Sequence, residues 1–169
     1  IPAERNLLSV IPNLDNKYKA SSYDSMFNCA MEFSEANAVF TKNNPLKLVF
    51  ADDMEYYHDG FNDYVKLPKT NTALLLEHTS SGIQSTVPVS VLVHYLSFIT
   101  GKPARRTPRM VKSDSGLDFS QENLTNRLNY YNYPQLFIEE PEQHLYPTSQ
   151  AKLLRDIISQ FSHAMGKTE

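Results

Sequence analysis

Hydrophobic positions along the chain change their period several times, and each change predicts an element. Between residues 22 and 40, Met26, Phe27, Ala30, Met31, Ala36, Val39 and Phe40 approximate one apolar face of a helix. Ser22 or Asp24 can cap its start, and Asn43-Asn44-Pro45 stops it. Residues 46–51 read as a strand, and 54–58 and 64–67 as two more around an Asp59-Gly60 turn, a hairpin signal. Tyr56, Tyr57 and Tyr64 are then packing residues of that hairpin. Residues 87–99 are apolar almost all round, which predicts a buried helix that Pro88 either kinks or restarts. A further helix over 119–130 is expected outside the sheet. Leu136, Phe137 and Ile138 form the short apolar run of a strand buried on both faces. Residues 147–164 are amphipathic, with Leu153, Leu154, Ile157, Ile158 and Phe161 on one stripe and Pro147 in the first turn. The expected class is α/β: a few core strands flanked by helices, with a small β-hairpin region.

Composition narrows this picture. The chain has 169 residues, 41% hydrophobic and 21% charged, which suits one domain with a packed core and argues against wholesale disorder. A formal net charge of −3 gives no general attraction for nucleic acid or an anionic membrane. One basic, proline-punctuated run (Arg105, Arg106, Arg109, Lys112) is either a solvated face or a contact to phosphate backbones. Cys29 is the single cysteine, which excludes an internal disulfide and a cysteine-built zinc site. There is no uninterrupted apolar run of about 18 residues, so no membrane span is expected. The expectation is a cytoplasmic protein. Because the chain starts at Ile1 rather than Met, it is also expected to be a piece of a larger one.

The candidate chemistry sits in two stretches. Glu139 and Glu140 follow the apolar run 136–138, at the end of a strand, where ligands of open α/β sheets bind. Side chains alternate along a strand, so the two carboxylates should point different ways. That suits two roles, one holding Mg²⁺ through water and one orienting an attacking water. The second stretch is Ser80-Ser81-Gly82-Ile83-Gln84, after an apolar lead-in. Ser81 with Gln84 fits a capping box at a helix start. The same free N–H groups and positive dipole end can bind phosphate. Asp52-Asp53 is a further acidic pair that reads as a solvated turn. His58, His78, His94 and His163 show no metal-ligand spacing. Gly166-Lys167-Thr168 looks like the end of a phosphate-binding loop. Phe161 stands where the first glycine of that loop belongs, however, and the 5 glycines of the chain form no other.

The stretch from Gln135 to Gln150, apolar strand then Glu-Glu-Pro-Glu, x-His-Leu-x-Pro and Gln, resembles the Walker B strand of ABC-type ATPases. It is most similar to the OLD/RecF/SMC-like branch. Residues 80–84 resemble the ABC signature, with Ile83 in place of its second glycine. The opening Ile1-Pro-Ala-Glu-Arg5 also occurs in that branch. The resemblance implies a partial P-loop NTPase fold that uses ATP and Mg²⁺. Glu139 would help hold the metal and Glu140 would polarise the attacking water. Ser81, Gly82 and Gln84 would meet nucleotide held by a second head, in a homodimer. Residues 1–169 would be the central to C-terminal part of one ATPase domain. Its Walker A loop and later histidine strand would lie outside this stretch. Such heads often act on DNA or in defence against phage, which leaves nucleic acid open as a partner. The resemblance assigns Arg5 no role, and by itself Arg5 reads as a strand-edge residue in a surface Arg–Glu pair. Three other readings stay open: a metal-dependent nuclease on Glu139, Glu140 and Glu142 with Asp52-Asp53; a non-catalytic interaction module; and a DNA-binding segment over 105–112.

Overall fold

A computed structural model describes residues 1–11, 25–52, 54–100, 102, 135–141 and 144–166. A 3-10 turn (Ala3–Asn6) and one α turn, α1 (Leu7–Val10), open the chain. Helix α2 (Ser25–Asn37) follows, then strands β1 (Leu46–Leu48), β2 (Met54–His58), β3 (Asp63–Leu67) and β4 (Thr72–Leu75). The long helices α3 (Ser81–Ile99) and α4 (Pro147–Met165) complete the described elements. The architecture is mixed helix and sheet, a four-stranded antiparallel meander flanked by helices. The expected helix over 119–130, the basic run 105–112, Tyr130, Tyr131, Tyr133, Asp53, Glu142, Lys167, Thr168 and the proposed caps Ser22 and Asp24 lie outside the described residues.

The hairpin forms where its turn signal stands. Tyr56 faces Val65 and Tyr57 faces Tyr64 across β2 and β3. Asp59 Oδ1 accepts the N–H groups of Phe61 at 2.9 Å and Asn62 at 2.8 Å, an Asx turn, and Gly60 takes φ 99°. Alternation sends the two tyrosines of β2 to opposite faces. Tyr56 is fully buried edge-on to Phe40, with ring centroids 6.5 Å apart. Tyr57 stacks on Tyr64 at 5.1 Å. The strand expected over 46–51 is shorter, because it tightens into a 3-10 turn at Val49–Ala51 and Asp52 turns left-handed at φ 50°.

Helix α3 is the axis of the core. It packs against α2, α4, α1, the Ala3–Asn6 turn and β1, which is why its sequence is apolar on every side. An 18-residue window of α3 is long and apolar enough to cross a membrane, with mean hydropathy 1.3, but 61% of it is buried inside this fold. Pro88 lies within the helix and brings no N–H to the carbonyl of Gln84, one turn earlier. The Oγ of Ser9 donates to that carbonyl instead, at 2.6 Å.

Two apolar faces differ from the periodicity reading. In α2 the buried set is Met26, Cys29, Ala30, Phe33 and Ala36, while Met31 is 42% exposed. Residues spaced three and four apart share a face, so Phe33 belongs to it and Met31 does not. The helix stops at Asn37, and Val39 and Phe40 reach the core from the turn that follows. The side chain of Phe27 is not among those described. In α4 the stripe divides: Leu153 is fully buried and Ile157 packs on the core, but Leu154 and Ile158 are 45% and 65% exposed. Leu153→Ala should therefore cost about 2–5 kcal/mol in urea unfolding. Ile158→Ala should stay within about 0.5 kcal/mol of the wild type.

One polar network is built into the sheet. Tyr56 Oη donates to Asp63 Oδ1 at 2.5 Å, and His58 Nδ1 lies 3.0 Å from the same oxygen. The hydrogen bond to Asp63 raises the pKa of His58, outweighing the opposite effect of burial. The folded value lies above the unfolded one, so the stability from His58 is full below about pH 6.5 and fades as pH rises through the folded value. Thermal melts at increasing pH across that window should show a falling Tm, and Asp63→Asn should flatten the profile.

Candidate functional site

Residues 135–138 do not form the doubly buried strand expected of them. Phe137 is 81% exposed, and Leu136 and Ile138 are half-buried, the alternation of a strand covered on one face. Their bonded neighbour is the start of the chain. Glu139 N–H donates to Ile1 O at 3.0 Å and the Ile1 nitrogen donates to Phe137 O, the pattern of a parallel bridge between Ile1 and Ile138.

The two glutamates end this segment, both exposed. Glu139 Oε2 accepts the N–H of Ala3 at 3.1 Å, at the head of the 3-10 turn, where N–H groups lack partners within the turn. Glu140 is left-handed, at φ 45°. Such a conformation is disfavoured for a residue with a Cβ unless its surroundings hold it there. The surroundings are Arg5, whose Nη1 and Nη2 donate to the carbonyls of Glu139 and Glu140, each at 2.6 Å. Arg5 is fully buried, not at the surface strand edge expected of it. A buried guanidinium needs its donors satisfied, and carbonyl oxygens satisfy them here.

The signature-like stretch is the start of α3. The cap is Ser80 rather than Ser81: Ser80 Oγ accepts from Ile83 N–H at 3.5 Å, and the helix begins at Ser81. The expected capping box does not form. Gln84 turns its amide back on the preceding turn, donating to Glu77 O at 2.8 Å and Thr79 O at 3.0 Å. Ser81 is exposed at the helix start, and Gly82 is buried.

The fold brings the two stretches together. A Cβ on Gly82 would lie 2.6 Å from the carbonyl oxygen of His144 and 3.4 Å from Leu145 Cδ2. The segment after the glutamates therefore runs directly over the first turn of α3. His144 is itself left-handed at φ 62°, and the Gln150 side chain donates to Leu145 O at 2.9 Å, tying this segment to α4. Arg5, Ser9, Pro88 and Gln150 were not singled out for this role by the sequence. Pro88 carried the one available signal, since a proline inside a helix frees a carbonyl four residues back.

Other sequence candidates lie apart from this turn. Lys152 Nζ donates to Asp52 at 3.1 Å, on the exposed side of the Val49–Ala51 turn. His94 Nε2 lies 3.0 Å from Asp156 Oδ2, between α3 and α4. A cavity of about 600 Å³ lies between α2 and the hairpin, lined by Phe33, Asn37, His58 and Phe61 among others, and no predicted site residue lines it. Its His58 is already engaged with Asp63.

Among the described residues no group of three or more His, Cys, Asp or Glu side chains could hold a metal ion by itself. Carboxylates are the kind of oxygen ligand that a magnesium–nucleotide site would use, and Glu139 and Glu140 are exposed residues on a held backbone. The phosphate side would need a glycine-rich loop, which these 169 residues do not contain. Comparison with protein-family models, with curated proteins and with solved structures finds no match in any of the three.

The contact at Gly82 is with backbone, which cannot rotate out of the way. Gly82→Ala should destabilise the chain by about 1–3 kcal/mol in denaturant unfolding, the range for overpacking a filled site. A variant as stable as the wild type would show that residues 144–145 do not close over α3.

Proposed function

We propose that this chain is the acidic-turn and signature-like part of an ABC-type ATPase head with a P-loop NTPase fold. Such a head binds ATP with Mg²⁺ and dimerises around the nucleotide. One observation carries the reading. The two stretches that resemble ATPase motifs, 62 residues apart between Gly82 and His144, are packed so closely that a single Cβ would not fit between them. An acidic surface turn of no consequence has no need of that register.

In this reading Glu140 accepts a hydrogen bond from the water that attacks the terminal phosphate and draws off its proton. Glu139 helps hold Mg²⁺ through water, and the metal supplies neutralisation of phosphate charge. Ser81, exposed at the positive end of the α3 dipole, would face nucleotide bound by the second head, with Gly82 and Gln84 shaping that helix start. The phosphate-binding loop would come from polypeptide beyond these residues. DNA as a substrate, and a cytoplasmic setting, go with the same proposal.

The two glutamates separate in one assay, run on the protein that supplies the phosphate-binding loop. Glu140→Gln keeps shape but loses the charge that activates water, so nucleotide should still bind while turnover falls about 10²-fold or more. An ATP-dependent dimer should then accumulate and register in light scattering. Glu139→Gln should weaken the nucleotide-dependent dimer, because the phosphates are poorly neutralised. Normal turnover in Glu140→Gln, or the same behaviour in both variants, would sink the ATPase reading.

A further inference from the structure

Arg5 reaches three separated segments with one planar group. Its Nε donates to Ser85 O at 2.9 Å, its Nη1 to Glu139 O at 2.6 Å and Pro2 O at 3.3 Å, and its Nη2 to Glu140 O at 2.6 Å. The guanidinium holds its donors in a rigid fork. Two consecutive carbonyls can meet the same fork only if the peptide between them is turned, and the left-handed φ of Glu140 is that turn. The other end of the fork lies on α3, one residue beyond the carbonyl that Pro88 frees. Proline lacks an N–H for the carbonyl four residues back, and its ring crowds the preceding turn. The two carbonyls at that place, Gln84 and Ser85, accept from Ser9 Oγ and Arg5 Nε respectively. The N-terminal part of α3 and a strained acidic turn are thus joined through one buried side chain.

We infer that Arg5 is the positioning residue of the candidate site. It holds the backbone of Glu139 and Glu140 in the conformation that presents their carboxylates, and it keeps that turn in register with the start of α3. Arg5 acts through the main chain of the two glutamates and is not a catalytic residue. Its consequence for hydrolysis rests on the ATPase reading, whereas its hold on the turn does not.

Two measurements separate these. The first is hydrogen–deuterium exchange on the whole protein. Arg5→Lys keeps the charge but replaces the fork by a single ammonium, so it cannot span the three segments. Amides of 135–146 should exchange about tenfold faster or more, while those of β2 and β3 keep their protection. Arg5→Gln, uncharged and with a single short amide in place of the fork, cannot span the segments either and should also loosen 135–146. It decides the matter if Arg5→Lys does not fold. Unchanged exchange over 135–146, or an equal rise throughout the sheet and helices, overturns the assignment.

The second measurement is a double-mutant cycle on ATP turnover. Arg5→Lys alone should lower kcat about 10- to 100-fold, the scale of a misplaced reacting group, and leave KM within about twofold. In a Glu140→Gln background it should have almost no further effect on kcat. Equal losses in both backgrounds would mean that Arg5 acts only on stability, which overturns the positioning role. Wild-type turnover in Glu140→Gln alone would instead remove the ATPase reading, and the exchange result would still decide what Arg5 holds.

Discussion

One buried guanidinium sets the geometry on which the candidate site depends. Arg5 has no exposed surface, and its charge is solvated by main-chain oxygens from Pro2, Ser85, Glu139 and Glu140. A charge out of water tolerates the loss of such partners poorly, because each abandoned donor carries its full desolvation cost. The chain opening, the central helix and the acidic turn therefore cannot shift independently. The same constraint explains a backbone feature that is otherwise unfavourable, the left-handed Glu140.

The central helix makes this arrangement available by being imperfect. A regular α3 would use the N–H of residue 88 on the carbonyl of Gln84. Pro88 removes that donor and Ser9 meets the oxygen, while Arg5 reaches the next carbonyl, that of Ser85. Gly82 then lets the segment at His144 and Leu145 lie against the first turn. A helix cap and a glycine at the start of α3 thus combine into a surface that receives the segment after the acidic turn. The sheet with its Tyr56–Asp63–His58 network is a separate polar structure, centred on the hairpin.

Much of the architecture was legible in the pattern of residues. The hairpin followed from Asp59-Gly60 between alternating runs, and α4 began at the proline that was read as its first turn. Faces were less legible than elements. Met31 and Phe33 lie two positions apart in α2, and a small error in phase exchanged their sides. Strand β4 escaped notice because Thr72, Ala73 and Leu74 are all exposed and show no alternation to read. The run 136–138 was read as fully buried because three apolar residues in a row fit that environment, yet Phe137 points away from the fold. At the helix start Ser81 was read as the cap, and the backbone places it one position earlier, at Ser80.

The sequence by itself determined which segments become helices and hairpin, and it concentrated the candidate chemistry in residues 80–84 and 139–140. Those are local properties: periodicity, turn residues and proline position act over a few neighbours. Only the tertiary structure decided that Arg5 is buried, that its fork turns Glu140, and that Gly82 lies under His144. Each of these joins residues between 62 and 135 positions apart, and no local pattern records which distant carbonyl an arginine will meet. That choice belongs to the packing around α3, which brings the carbonyls of Ser85, Glu139 and Glu140 within reach of one buried charge.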